Sequence, residues 1–419
     1  MIKLPFIVVE SKNPAKSKDP LLFTSGGPGN SSLSWAIGAT KSDIIKQRDC
    51  IAFEQRGTRY AIPHLRAFDL DVAIKDSYRK NLNKDSVVLE GVKRYKKKLE
   101  KRGIDLAGYN SDETVADIHD LLTALKIDSV NLYGGSYSGG LMTAVLQKDS
   151  TRIRSLVLDS PLPMYTPIDE DEPANFNEAL SVLFKRVDRD STDHQRYANL
   201  QQRFLSYFNG IADKTFYHRY LEKGTTDSVD IAYTKNELLA EIMNAMSDNA
   251  RRKDVAVIIT EMMKGNHHGY IKSFLDDLFR KNQAPDGMRI SVYCADQAEY
   301  HSEDVIKQLY KTYPYLAGYR INDVIKDMCD CWKVPPVKKS TKLPYYSNKP
   351  VLLGDGAMDP NCSPRYIQSL RHYLQNGQAF LFLNKGHGVG TKEWYGMVQQ
   401  FLAAPYKPVT MPAIDVIRL

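Results

Sequence analysis

The sequence predicts an α/β fold: a mostly parallel sheet with helices on both faces, interrupted by a helical insertion. Three observations carry this expectation. Strand-like and helix-like segments alternate through the first third of the chain. Those strands are apolar throughout, and the alternation stops after Pro161-Leu162-Pro163 and returns near Pro350. Strands buried on both faces read as continuous apolar runs, and the crossovers between parallel strands supply the covering helices.

Taken in order, residues 1–10 begin as a strand. Residues 20–24 (PLLFT) form a short apolar run ending in Gly26-Gly27-Pro28-Gly29, and residues 50–53 form another ending in Glu54-Gln55-Arg56-Gly57. Val115, Ile118, Leu121, Leu122 and Leu125 recur at helical spacing. A strand over 129–133, a helix over 141–147 and a strand over 154–158 follow. From about 173 to 280 the chain is helix-like and strand-poor, with amphipathic segments at 176–184, 235–246 and 255–263. Apolar runs at 351–353 and 379–383, separated by a helix-like 364–374, resume the sheet. The expected organisation is a core built from 1–161 and 346–419, with a mainly helical cap over 162–345. At 419 residues the chain exceeds one ordinary core, which suits two lobes and a cleft.

Composition narrows the function classes. Hydrophobic content of 42% with 26% charged residues is globular, and no apolar stretch is long enough to span a bilayer, which takes roughly 18 residues. The net charge of +7 is scattered except for residues 93–102 (KRYKKKLEKR), which read as a solvated helix face, so no nucleic-acid partner is expected. Five cysteines are too few for a disulfide scaffold, and Cys329-x-Cys331 lacks zinc spacing, so neither a metal nor a cofactor is expected. Cys294 can pair with Cys329 or with Cys331 in an oxidising compartment, or all can stay free thiols. The first residues lack the pattern of an export signal. A chain that starts so abruptly in a strand is also read as a trimmed form, which leaves localisation open between the cytoplasm and export from a longer precursor. Oligomeric state is equally open.

The run Tyr133-Gly134-Gly135-Ser136-Tyr137-Ser138-Gly139-Gly140 joins a strand to a helix. A serine on so sharp a turn projects its hydroxyl above the sheet, and small neighbours let the backbone fold back on itself. Ser136 is the candidate nucleophile. A serine hydroxyl needs a base, and the base needs an orienting carboxylate. In an α/β-hydrolase fold these arrive in the order serine, acid, histidine on loops after late strands. Residues 351–360 supply a strand and a turn with Asp355 and Asp359; residues 380–388 supply a strand and the glycine-flanked His387. Asp359 is taken as the orienting acid and Asp355 as a turn residue. Oxyanion donors are expected from the backbone N–H of Tyr137 and of Gly27.

Together, Ser25-Gly26-Gly27-Pro28-Gly29, Glu54-Gln55-Arg56-Gly57-Thr58, Tyr133-Gly134-Gly135-Ser136-Tyr137, Asp359-Pro360 and Gly386-His387-Gly388 resemble the motifs of the proline iminopeptidase and tripeptidyl aminopeptidase family of α/β-hydrolases. The resemblance covers roughly 20–161 and 350–390. Three positions depart from the family: Ser25 replaces histidine, Glu54 replaces aspartate, and Ser138 replaces glycine. None removes a triad member. The resemblance implies a serine exopeptidase acting on peptides with a free N-terminus, beneath a helical cap. Such an enzyme must recognise an ammonium, so a cap carboxylate is required near the serine. Candidates are the acidic run ending in Glu172, and Asp296 or Glu299. Arg56 is expected to hold loops together by pairing with carboxylates. Two rivals stand beside this reading: a small-molecule esterase or amidase with the same triad, and an inactive binding protein of the same fold.

Overall fold

The computed structural model describes residues 1–189, 195–280, 286–411 and 415–419. Among them the chain forms strands β1 (Phe6–Val9), β2 (Leu21–Thr24), β3 (Cys50–Phe53), β4 (Val130–Gly135), β5 (Ile153–Asp159), β6 (Phe216–Leu221), β7 (Ser228–Tyr233), β8 (Ser347–Gly356), β9 (Leu374–Phe382) and β10 (Val416–Arg418). Eight of them make one sheet in the order β1-β3-β2-β4-β5-β8-β9-β10. The interior pairs, from β3 across to β9, are parallel, and only the edge strands β1 and β10 run antiparallel.

The apolar strand runs bury both faces. Leu22, Leu132 and Leu156 pack with Ile118, Leu122, Leu141 and Val145 on one side. Leu21, Phe23, Tyr133 and Val157 pack with Trp394, Met397 and Phe401 on the other. Successive strand residues point to opposite faces, so a one-residue slip would exchange these sets, and the register is fixed by packing.

The sheet is interrupted between β5 and β8 by a largely helical insertion that begins with the helix Ile168–Arg189. Positions 190–194 and 281–285 of the expected cap lie outside the described residues. The core of this lobe contains Phe176, Phe204, Phe208, Leu238, Ile242 and Trp332. It also takes Leu70, Val92, Tyr95 and Leu99, from the helices Phe68–Arg79 and Lys84–Lys101 that precede the Ser136 turn. This explains the basic run: Tyr95 and Leu99 turn inward while Lys93, Lys97 and Lys98 stay in solvent. Cys294 pairs with Cys329, tying the helices Gly287–Asp296 and Lys326–Trp332, and Trp332 Nε1 donates to Ser291 Oγ at 2.7 Å beside that link.

One element departs from the helical expectation. β6 and β7 form an antiparallel hairpin within the insertion. His218 and Tyr220 are buried while Tyr217, Arg219 and Leu221 are exposed, so the segment has strand periodicity, and Gly224 turns the hairpin at φ +87°.

Candidate active site

β2 lies between β3 and β4, so the chain runs outward from β2 to β3 and then crosses back to β4. Loops leaving the carboxyl ends of β2 and β4 therefore diverge around a crevice, the usual ligand position in an open parallel sheet. Thr24 pairs with Gly134, which brings the glycine loop after β2 against the turn after β4. Approach is close: a Cβ on Gly26 would sit 2.7 Å from Gly135 O and 3.1 Å from Ser136 Cβ.

Ser136 caps the helix Tyr137–Lys148 with φ 54° and ψ −131°. That strained conformation is held by its N–H, shared between the carbonyls of Asp159 and Ser160 at 3.1 Å each. Gly134 is obligatory, because a Cβ there would meet Ser138 O at 2.3 Å. Ser138, the departure from the family pattern, is fully buried, and its hydroxyl receives the Gly135 N–H and donates to Gly135 O, both at 2.9 Å. The extra side chain thus braces the turn.

Asp359 and His387 come together at the carboxyl ends of β8 and β9. Asp359 Oδ2 lies 2.7 Å from His387 Nδ1, while its Oδ1 accepts the N–H groups of Asn361 and Cys362 at 2.8 and 2.9 Å. Those donors keep the buried carboxylate oriented. Burial pushes the His387 imidazole down, but the charge and hydrogen bond of Asp359 outweigh it and leave the pKa raised. The histidine loop is pinned from both lobes. Gly386 N–H donates to Asn249 Oδ1 in the insertion at 3.0 Å, and Gly388 N–H donates to Ser160 Oγ at 3.0 Å. Asp355 serves its turn as expected, accepting Ser160 Oγ–H and Gly356 N–H; burial and then Asp359 push its carboxyl far up.

Ser136, Tyr137, Gly27 and His387 line one cavity of about 570 Å³. Neither Gly27 nor Tyr137 uses its backbone N–H in a hydrogen bond among the described residues. Cys362 lines the same cavity as Ser136, and burial pushes the ionisation of its thiol far up. Phe23, Trp35, Leu162, Met164 and Val292 give the cavity apolar walls, with Phe23 and Trp35 stacked at 4.3 Å.

The three candidate amine partners separate. Glu172 and Asp296 line the cavity, whereas Glu299 is exposed and outside its wall. The cause is local: the helix Gly287–Asp296 stops at Asp296, so Glu299 does not continue its inward face. Asp296 is engaged by the Ser111 hydroxyl, which also contacts Tyr137 Oη at 2.9 Å; burial pushes its carboxyl up to about 6 against the pull of Ser111 and Lys342. Glu172 accepts Asn322 N–H at 3.1 Å, and burial followed by the nearby Asp169 raises its pKa strongly. Arg56 behaves as expected, bound to Glu113 and Asp117 at 2.9 and 2.6 Å.

Four residues at the site were not singled out from the sequence. Asp159 ends β5, accepts Val389 N–H at 2.8 Å and faces His387 electrostatically. Cys362 follows Asp359 in the same turn, and its position three residues on was the one legible signal. Arg289 and Asn322 reach the cavity from the insertion.

Structural comparison finds similarity to a proline iminopeptidase from Mycobacterium smegmatis, at 14% identity over 97% of this chain and 96% of that one, with TM-score 0.44. An esterase from Exiguobacterium antarcticum is similar at 12% identity over 97% and 96%, with TM-score 0.39. An esterase from Thermogutta terrifontis is similar at 12% identity over 97% and 95%, with TM-score 0.42. No curated protein matches the sequence. The model of the alpha/beta hydrolase fold matches residues 19–389, and the chain belongs to that family.

Proposed function

We propose that the protein is a serine aminopeptidase working through an acyl-enzyme. Ser136 Oγ attacks the peptide carbonyl as His387 Nε2 takes its proton, Asp359 keeps the imidazole oriented, and the N–H groups of Gly27 and Tyr137 receive the oxyanion. His387 then returns the proton to the leaving amine, and water, deprotonated by the same imidazole, releases the acyl group. The Ser136 hydroxyl closes its hydrogen bond to His387 when substrate fills the cavity, since catalytic hydrogen bonds often tighten only in the complex.

The observation that carries the peptidase reading is Glu172. A carboxylate on the wall of the same cavity as Ser136 and His387, with Asp169 beside it, provides what a substrate ammonium needs. Asp296 is the weaker candidate because Ser111 already occupies it. The test is a kinetic panel of matched peptides with free and acetylated N-termini, together with simple esters. Turnover of free peptides alone supports the reading; rapid ester turnover with free peptides untouched overturns it.

The apolar walls, with Phe23 stacked on Trp35, favour one alternative, a small-molecule esterase. The same panel separates the two. Against the inactive-protein rival, Ser138 braces the turn that carries Ser136, so fluorophosphonate labelling that disappears in Ser136→Ala is expected.

A further inference from the structure

A continuous chain of hydrogen bonds joins the acidic pair to the glycine loop. Asn322 N–H donates to Glu172 Oε2 at 3.1 Å, and Asn322 Nδ2 donates to Asp169 Oδ1 at 3.2 Å. The same amide receives Arg289 Nη2 on its Oδ1 at 3.2 Å. Arg289 is steadied by Asp323 through Nε at 2.7 Å, and its Nη1 donates to the carbonyl of Gly27 at 2.6 Å. The loop also rests on the start of the helix that carries Arg289. Asp286 caps that helix by accepting Arg289 N–H at 3.0 Å, and a Cβ on Gly29 would come within 3.1 Å of the Asp286 carboxylate.

Gly27 has φ +116°, a conformation open mainly to glycine, so no side chain restrains the two peptide planes flanking it. One plane is tied by Asn30 N–H on Gly26 O at 3.4 Å, a long bond. The other is tied by Arg289. The Gly27 N–H lies in the first plane, under the long bond, and Arg289 acts on it through the φ and ψ of Gly27 by fixing the second plane, so the aim of this N–H is set in part by a guanidinium supplied by the insertion. Oxyanion donors act by being aimed in advance, and a loosely aimed donor loses transition-state stabilisation while ground-state binding is little changed.

We infer that Arg289 is a positioning residue for the oxyanion loop, and that Asn322 links it to the carboxylates Asp169 and Glu172, so that occupancy of the amine site raises turnover as well as affinity. The link to the amine rests on the aminopeptidase reading; the action of Arg289 on Gly27 needs only an acyl-transfer site. Glu172, Asn322, Arg289 and Gly27 all line the cavity that holds Ser136, so a bound peptide can meet both ends of the chain.

The experiment compares kcat and KM of the native protein, Arg289→Met, Arg289→Lys and Asn322→Ala on a free-amine peptide arylamide, its N-acetyl form and p-nitrophenyl acetate. Arg289→Met is expected to lower kcat about 10- to 100-fold on ester and free-amine substrate alike, with ester KM little changed, by analogy with removing an oxyanion donor. Arg289→Lys, which still reaches one carbonyl, recovers part of that loss. Asn322→Ala lowers the ratio of free-amine to ester kcat about fivefold or more. The inference is overturned if Arg289→Met keeps kcat within about twofold or loses only KM. The link fails if Asn322→Ala leaves the ratio unchanged. Should Arg289→Met not fold, the lysine variant and the Asn322→Ala ratio carry the test. A native protein equally fast on free and acetylated arylamide removes the aminopeptidase reading and the link, while ester kcat in the Arg289 variants still decides the positioning role.

Discussion

Asp359 holds His387 through a 2.7 Å contact to Nδ1, and the same carboxylate is fixed on its other oxygen by two backbone N–H groups. Nδ1 therefore carries the proton and Nε2 is left as the basic atom. The contact has a consequence for pH. Only neutral imidazole can take the serine proton, and Asp359 lifts the pKa above the ordinary value of about 6.5. Ester kcat, which needs no amine site, should rise with pH through an inflection above that value. In Asp359→Asn the remaining burial pushes the inflection lower, while kcat falls on the order of 10³- to 10⁴-fold. A pH-rate series on both proteins checks this, and a flat native profile from pH 5 to 8 contradicts a histidine base.

Removing the charge of Glu172 should act on free peptides only. Glu172→Gln loses a charge-assisted hydrogen bond to ammonium, typically about 1.5–3 kcal/mol, so kcat/KM for free-amine substrates should fall roughly 10- to 150-fold. Rates on p-nitrophenyl acetate should fall far less. The same substitution at Glu299, which is exposed and outside the cavity, should leave both rates within about twofold.

Ser138 should matter to stability more than to chemistry. Ser138→Ala removes both part-buried hydrogen bonds to Gly135, a typical net cost of about 0.5–1.5 kcal/mol each. Thermal unfolding should report a lower midpoint. Gly134→Ala should be far worse, because the backbone oxygen it would strike cannot move without opening the turn.

The Cys294–Cys329 link closes a loop with a sequence separation of 35, which in the chain-entropy view stabilises the lobe by about 3–4 kcal/mol. Reductant should lower the unfolding midpoint of the native protein by several degrees and leave a Cys294→Ala/Cys329→Ala variant, already lower, unchanged. Equal midpoints with and without reductant would mean that the link contributes nothing.

Much of this site was legible before the fold was known, for a physical reason. Ser136, Asp359 and His387 each close a strand of a parallel sheet, and such strands announce themselves as apolar runs ending in glycine-rich turns. Their loops must then gather at one edge. Tertiary packing decided the rest. Arg289 and Asn322 sit in an insertion whose docking no periodicity reveals, and Asp296 parts from Glu299 because a helix ends between them. The β6–β7 hairpin was hidden among helices, the inward positions of β6 being Phe216, His218 and Tyr220 rather than aliphatic residues. Cysteine spacing left two partners for Cys294, and only the placement of two helices selects Cys329.

Mass spectrometry of the products from a mixed library of free and N-acetylated peptides tests the central claim most directly, run with the native protein and with Ser136→Ala. The account predicts fragments released stepwise from free N-termini, by the native protein alone. The same fragments from acetylated peptides, or cleavage that persists in Ser136→Ala, would contradict it.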